Sequence, residues 1–171
     1  MEMKDNFLDN TDLDQLDEFL VSFPWYLQEE QVLGSADGCF FSHKLYDRNL
    51  PCSDSFFPVN KIFEKYLKWV SLCRITVNCL LRQEKPSISE FHTDFSADNS
   101  ILDEEKITTA IYYVNTNNGA TEIKDGPRID SVRNRLIIFP TNTLHRAIGQ
   151  TDVATRIVFN FNFIKRENAT I

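Results

Sequence analysis

The sequence is poor in the residues that mark several protein classes. It has five glycines and six prolines among 171 residues, and neither a repeat nor a Gly/Ser linker interrupts it. Collagen-like and disordered chains are excluded by this composition, which is that of an ordinary globular protein. Without a linker or a shift in composition, residues 1–171 are predicted to form a single domain.

Cysteine is also scarce. The four cysteines are irregularly spaced and form no C-x-x-C pair, which argues against a disulfide framework or a zinc knuckle; they are Cys39, Cys52, Cys73 and Cys79. We therefore expect reduced, packed thiols in a cytosolic compartment.

No hydrophobic run is long enough to cross a membrane. The longest apolar stretches, such as 136–139, fall far short of the roughly 20 residues that a spanning helix needs. The first thirty residues are acidic and lack the basic start and apolar run of a secretory signal. These features predict a cytoplasmic protein that has no membrane partner.

Basic residues are outnumbered, with 18 Lys and Arg against 25 Asp and Glu and a formal net charge of −7. Broad binding to nucleic acid requires an excess of positive charge over the contact face. Nucleic acid is therefore an unlikely partner, although a local basic groove is not forbidden.

Apolar residues are plentiful, at 42% with 14 Phe, which is enough for a sizeable core. Helical spacing predicts one helix after Thr11, which would be its N-cap, running to Pro24, and a second helix over Asn60–Val70 that packs on a sheet. From Leu72 onward the hydrophobic period changes to that of strands. The predicted strands are Leu72–Arg82, Ile88–Thr93, Ile107–Asn115, Ala120–Lys124, Arg135–Phe139, Thr143–Ile148 and Thr155–Ile164.

These elements predict a mainly β protein with flanking helices, built as a sandwich or jelly roll. Residues 1–71 would form a helical N-terminal support, and residues 72–164 would form the β core. The last strand places Phe159, Phe161 and their odd-numbered neighbours on one face, with Arg156, Asn160 and Asn162 on the other. The aromatic face must be core, whereas the polar face either lines a cavity or lies in water.

Two of the three histidines have neighbours that suggest chemistry. His92 and Asp94 are two residues apart at the end of a predicted strand, so both side chains can reach one cation. His145 begins another predicted strand. Two imidazoles and one carboxylate form the facial triad of non-haem Fe(II) sites, but an isolated H-x-D pair is commonly a surface turn. His43 has no carboxylate at ligand spacing and is expected to be structural.

Arg156 follows His145 on the polar-faced strand. Its rigid guanidinium fork suits a carboxylate, and a buried arginine needs a partner. That partner would be either a protein acid, with Asp152 the nearest in sequence, or a bound anion.

Over Leu72–Ile164 the sequence resembles the Fe(II)- and 2-oxoglutarate-dependent oxygenases, and among them the prolyl-4-hydroxylase-like branch. The resemblance rests on His92-x-Asp94, the strand Ile107–Asn115, the segment Asn134–Pro140, His145 and the strand Thr155–Asn162. The turn Asn117–Thr121 belongs to it too, although many relatives have two glycines where this chain has Gly119 and Ala120. Phe23–Trp25 and Asn115–Gly119 are also similar to small phage and viral members, for which the host cytoplasm would be the location.

The resemblance implies a double-stranded β-helix, cupin-like in architecture, in which His92, Asp94 and His145 bind Fe(II). It implies that 2-oxoglutarate chelates the metal and that Arg156 binds its distal carboxylate. Further co-substrate contacts would come from Tyr113, Thr109, Asn160 and Asn78. With O2, such an enzyme hydroxylates a substrate and releases succinate and CO2.

The substrate is not legible in the sequence, and a protein residue such as a prolyl group or a small metabolite would fit. One alternative is a nucleic-acid demethylase on the same scaffold, which would need a further arginine after Arg156; only Arg166 follows. Another is a non-catalytic jelly-roll binding module. The segment between Arg82 and His92 and the acidic loop 96–106 either face the substrate or are solvated loops.

Overall fold

A computed structural model describes residues 1–28, 40–94 and 106–166. Within these ranges the chain forms two helices and eleven strands. The helices are α1 (Asn10–Val21) and α2 (Phe56–Leu67). The strands are β1 (Glu2–Lys4), β2 (Tyr26–Gln28), β3 (Phe40–Asp47), β4 (Leu50–Pro51), β5 (Trp69–Leu81), β6 (Ile107–Tyr113), β7 (Ala120–Ile123), β8 (Arg128–Asp130), β9 (Arg135–Pro140), β10 (His145–Ile148) and β11 (Thr155–Lys165).

The strands form two antiparallel sheets. The major sheet has the order β1-β9-β6-β11-β5-β3-β2, with β4 paired to β3, and the minor sheet has the order β10-β7-β8. β11 lies between β5 and β6, so its backbone is hydrogen-bonded on both sides. This mainly β, two-sheet arrangement confirms the predicted jelly-roll class.

The major sheet is covered on both faces. On one face the helices bury an aromatic core, in which Phe63 of α2 contacts Tyr112, Phe159 and Phe161. On the other face a smaller cluster joins β6, β9 and β11 to Ile129 of β8. The alternation predicted for the last strand is therefore correct, because its phenylalanines enter the helix-covered core and Arg156 points towards the minor sheet.

The N-terminal region supplies strands as well as helices. β3 pairs with β5, and β1 pairs with β9, so residues before position 72 extend both edges of the major sheet. The N-cap of α1 is Asp9, whose carboxylate accepts from the Asp12 amide, and not Thr11 as predicted. α2 ends at Leu67 and is capped by Lys68 in a left-handed conformation, so Val70 belongs to β5 and not to the predicted helix.

The predicted strand Ile88–Thr93 is not continuous. The segment touches β10 through two isolated bridges, Ile88 to Ile148 and His92 to His145. Two further backbone hydrogen bonds, from Ser89 to Ala147 and from Gly149 to Ser87, tie it to the same strand. Nearly all of the acidic loop 96–106 lies outside the described residues.

Three of the four cysteines and both helices lie among the described residues. Cys52, Cys73 and Cys79 are free thiols, and Cys39 lies outside the described ranges. Neither α1 nor α2 has the length and hydrophobicity that a membrane-spanning helix requires.

Candidate active site

His92 and His145 lie side by side between the two sheets. The amide of each donates to the carbonyl oxygen of the other, at 2.9 and 3.0 Å, and their ring centroids are 4.8 Å apart. The short bridge to β10 therefore brings two distant histidines together by backbone pairing. An edge contact with Phe139, at 5.0 Å between ring centroids, supports the His145 ring from the major sheet.

Asp94 completes a cluster with these two rings. Its Oδ1 lies 3.5 Å from Nε2 of His145, and one ligand atom from each of the three residues lies within 4.8 Å of the others. Asp94 and His145 are buried. The other carboxylate oxygen, Oδ2 of Asp94, is buried and has no hydrogen-bond partner among the described residues. A buried oxygen of this kind is suited to a cation.

Backbone carbonyls orient both imidazoles. Nδ1 of His92 lies 2.9 Å from the carbonyl oxygen of Glu90, and Nδ1 of His145 lies 3.0 Å from that of Thr143. Each Nδ1 therefore carries a proton and donates it, which in the neutral ring leaves Nε2 with a lone pair for a metal.

The charges in the cluster favour an ionised carboxylate. Burial would raise the pKa of Asp94, but the hydrogen bond and charge of His145, with the charges of Arg74 and His92, lower it to about 2. Burial would lower the pKa of His145, but Asp94 outweighs burial and raises it. Burial lowers the pKa of His92. The cluster thus offers a carboxylate and imidazole nitrogens, the donor set of the non-haem Fe(II) facial triad.

Arg156 lines the same cavity as the two histidines. The cavity has about 500 Å³ of empty space including its open mouth, and both histidines and Arg156 line it. The Arg156 side chain is fully buried. Its Nε donates to Oγ of Ser131 at 2.8 Å, and its Nη2 donates to the Ala120 carbonyl and to Oγ1 of Thr121, both at 3.2 Å.

These partners of Arg156 are all neutral. In the part of the chain that the structure describes, no carboxylate forms an ion pair with it, and burial lowers its pKa. Asp152, the protein acid considered from the sequence, instead accepts from the Asn118 amide at 3.0 Å. Burying a guanidinium without a counter-ion costs free energy. The positive charge of Arg156 therefore favours the binding of an anion in the cavity.

Gly119 makes room for this arginine. A Cβ at position 119 would lie 2.8 Å from Cδ of Arg156, from Oδ1 of Asn117 and from the Ile148 carbonyl oxygen. The first glycine of the turn is therefore required by close packing around Arg156. At the next position β7 begins with a buried Ala120, so the missing second glycine leaves the strand intact.

Three of the other predicted co-substrate residues lie near the cavity. Asn78 and Asn160 line it, and the buried Oδ1 of Asn160 has no partner among the described residues. The buried Tyr113 ring lies 5.6 Å from Cζ of Arg156, and its hydroxyl donates to Oγ1 of Thr121 at 2.8 Å. Burial raises the pKa of Tyr113, which keeps the hydroxyl a donor.

Thr109 lies elsewhere. It is fully buried, does not line the cavity, and bonds Oγ1 of Thr141 and the side-chain amide of Asn162, both at 2.9 Å. Asn162 in turn accepts from Arg74, which contacts Asp94. Sequence reasoning missed Arg74, although its place on the polar face of β5, two residues from Thr76 and four from Asn78, is a signal that could have identified it.

Comparisons with known proteins locate this arrangement among known folds. No protein-family model matches the chain, and no curated protein matches it in sequence. Solved structures do match. A 2OG-Fe(II) oxygenase family oxidoreductase from Burkholderia pseudomallei aligns with a TM-score of 0.64 at 12% identity, over 98% of this chain and 86% of that one.

Two prolyl hydroxylases are also similar in structure. The enzyme from Trichoplax adhaerens, solved with a hypoxia inducible factor peptide, gives a TM-score of 0.60 at 12% identity over 96% of this chain and 83% of that one. The viral collagen prolyl hydroxylase of Paramecium Bursaria Chlorella virus-1 gives 0.56 at 12% identity, over 96% of each chain. Identities this low establish the fold alone. The chain therefore has the jelly-roll fold of the 2-oxoglutarate-Fe(II) oxygenases, which confirms at the level of fold the resemblance predicted from the sequence.

Proposed function

We propose that this protein is an Fe(II)- and 2-oxoglutarate-dependent dioxygenase that hydroxylates a substrate. One observation carries the proposal: His92 and His145 of the cluster with Asp94 line the same cavity as the buried Arg156 guanidinium, which has no carboxylate partner among the described residues. A dicarboxylate that bound a metal with one end could place its second carboxylate against the arginine. The fold shared with 2-oxoglutarate-Fe(II) oxygenases supports this assignment.

In this proposal the metal ligands are Nε2 of His92, Nε2 of His145 and the Asp94 carboxylate. The Nδ1 hydrogen bonds to Glu90 and Thr143 hold both rings in the required tautomer. His145 would hold the metal as the neutral ring, without the Nε2 proton that Asp94 favours. When bound, the ferrous ion supplies the activation of O2, chemistry that no side chain of this cavity can provide.

Arg156 binds the distal carboxylate of 2-oxoglutarate. Ser131, Thr121 and the Ala120 carbonyl fix its guanidinium, so little side-chain freedom is lost when the anion arrives. Tyr113 is close enough to redirect its hydroxyl from Thr121 to the same carboxylate. The amides of Asn78 and Asn160 also line the cavity and are available to the co-substrate, whereas Arg146 on the same wall is paired with Glu122. Thr109 is assigned to the support of Asp94 instead.

The overall reaction consumes one substrate C–H bond, one 2-oxoglutarate and one O2. One oxygen atom enters the substrate as a hydroxyl group, and the other enters the carboxylate of succinate as CO2 leaves. The substrate is a protein residue such as a prolyl group, or a small metabolite. Two similar structures are prolyl hydroxylases, which makes proline-containing peptides the first compounds to assay.

The co-substrate test uses the full chain after removal of metal by EDTA. Mn(II) and 2-oxoglutarate together should raise the melting temperature more than the sum of their separate effects, because chelation couples the two sites. With Fe(II) and O2, succinate should accumulate. Mass spectrometry of proline-containing peptides and host metabolites should then detect a product heavier by one oxygen atom.

Asp94→Ala should lose the coupled stabilisation and succinate formation, whereas Asp130→Ala, at an exposed aspartate of β8, should retain both. A wild-type protein that ignores 2-oxoglutarate in the presence of metal would identify a binding module and exclude the proposed activity.

A further inference from the structure

Arg74 links the candidate metal ligand Asp94 to the major sheet. It lies on β5, and its Nη2 donates to the backbone carbonyl of Asp94. The same nitrogen is 3.8 Å from Oδ1 of the Asp94 carboxylate. One guanidinium therefore contacts both the main chain and the side chain of this residue.

The buried side chain of Asn162 holds the Arg74 guanidinium by a hydrogen bond. Its Nε donates to Oδ1 of Asn162 at 3.0 Å, and Asn162 is fully buried. The Asn162 amide donates to Oγ1 of Thr109 at 2.9 Å and to Oγ1 of Thr141 at 3.4 Å. Because Asn162 and Thr109 belong to paired strands of the major sheet, the guanidinium is anchored to β11 and β6 in the interior of that sheet.

Asp94 needs such an anchor more than the two histidines do. His145 lies on β10, and His92 is held by its backbone bridge to that strand. Asp94 belongs to no strand, and among the described residues it has no hydrogen bond to another backbone group. Its position in the cluster therefore depends on side chains.

We propose that Arg74 is a positioning residue for the metal site. Held by Asn162, it fixes the main chain and carboxylate of Asp94 so that the oxygen faces Nε2 of His92 and His145. This inference rests on the proposed function, because it assumes that the cluster binds a divalent cation. It assigns a role to the polar network of Arg74, Asn162, Thr109 and Thr141, none of which would touch the metal.

The charge of Arg74 and the geometry of its contacts have opposite effects on metal affinity, so the positioning role can be tested. A guanidinium near a cation weakens its binding by repulsion, whereas orienting the ligand strengthens it. Arg74→Lys keeps the charge and removes the planar fork that spans Asp94 and Asn162. A change in metal affinity in this variant therefore reports geometry.

The test measures the Kd of Mn(II) by isothermal titration calorimetry on the full chain. Removing a residue that orients a metal ligand typically costs about 10–100-fold in affinity, and we expect Arg74→Lys to fall in that range. The matched control is Arg133→Lys, which alters an arginine paired with Asp17 on the surface. It should leave the Kd within about twofold of the wild type, the ordinary tolerance for a change that touches no ligand.

Folding is measured separately from the metal-free melting temperature. If Arg74→Lys does not fold, Asn162→Ser serves instead, because it removes the anchor and leaves the arginine; it should also weaken Mn(II) binding by about tenfold or more.

The outcomes separate the two proposals. If the wild-type protein binds no Mn(II), or binds it no more tightly than Asp94→Ala does, the metal centre and the proposed function are both wrong. If wild-type protein binds it and Arg74→Lys binds equally tightly, the positioning role is overturned and the proposed function stands.

Discussion

His92 and His145 exchange two backbone hydrogen bonds, so that the spacing of their rings is set by main-chain pairing. A pair of strands holds its register more firmly than a flexible loop does, and two of the three candidate ligands are therefore preorganised. Asp94, the third, relies on contacts with His145 and Arg74.

Asp94→Ala should abolish divalent metal binding and the release of succinate from 2-oxoglutarate. The alanine removes the only carboxylate of the cluster, and two imidazoles alone hold a hard cation weakly. The metal-free melting temperature should change little, because the residue lies outside both hydrophobic clusters. Succinate that persists at the wild-type rate would show that Asp94 is not a ligand.

Arg156→Met should separate stability from co-substrate binding. Replacing a buried, unpaired charge by an apolar side chain of similar length is expected to leave the metal-free protein as stable as before or more so. Loss of one partner of a buried charge pair costs about 2–5 kcal/mol of binding, so 2-oxoglutarate affinity should fall by roughly thirtyfold or more.

Calorimetry with 2-oxoglutarate and Mn(II) measures this affinity. Arg135→Met removes an arginine paired with Asp5 and serves as the control, with unchanged affinity expected. Equal affinities for the Arg156→Met variant and the wild type would remove Arg156 from the anion site.

Gly119→Ala should damage both stability and co-substrate binding. The added Cβ would press on Arg156, Asn117 and the Ile148 carbonyl at 2.8 Å, and overpacking of this kind costs about 1–3 kcal/mol. Urea unfolding measures the stability change. In Gly126→Ala the three nearest atoms all belong to Ile123, two of them in its side chain, so a smaller cost is expected. A Gly119→Ala protein as stable as the wild type would mean that Arg156 has room to move.

Phe63→Ala should destabilise the fold by about 3–5 kcal/mol, the usual cost of removing a fully buried phenylalanine. The Phe63 ring of α2 contacts the rings of Phe159 and Phe161 on β11. Phe57 lies on the same helix and is 59% exposed, so Phe57→Ala should change the free energy of unfolding by about 0.5 kcal/mol or less. Similar losses for both variants in urea titrations would contradict the assigned packing of α2.

His43 should make the fold less stable in mild acid. Burial lowers its pKa, and its ring packs between Phe23 and Tyr26. A base with a lowered folded pKa stabilises the fold fully above its unfolded pKa of about 6.5, and this contribution is lost as the pH falls below that value. In EDTA, the drop in melting temperature between about pH 7.5 and pH 5.5 should be smaller for His43→Phe than for the wild type. An identical drop would show that His43 does not titrate in this range.

Local sequence patterns were sufficient to predict the strands that carry His145 and Arg156. Strict alternation on the last strand assigned Phe159 and Phe161 to the core and Arg156 to the opposite face, because a strand turns successive side chains to opposite sides. The H-x-D pair and His145 were identified as a group from their chemistry and from the resemblance to known oxygenases. Their roles as ligands stay predictions.

Contacts between residues that lie far apart in the chain could not be predicted from local sequence patterns. β1 has three residues and is a strand because β9 lies beside it. Ile88–Thr93 has the composition of a strand, yet it meets β10 at isolated bridges only. Arg74 acquires its contacts from Asp94 and Asn162, neither of which is near it in the chain. No periodicity within one segment encodes such contacts.

The central position of β11 restricts changes in the length of this strand. A one-residue insertion within the strand would exchange the environments of every side chain on one side of it, sending amides into the aromatic layer and phenyl rings into the cavity. A point substitution there changes one side chain and its contacts, whereas a shift in length would disrupt the hydrophobic layer and the cavity around Arg156 together. Related sequences should therefore keep the spacing from Arg156 to Phe163 even where individual residues differ.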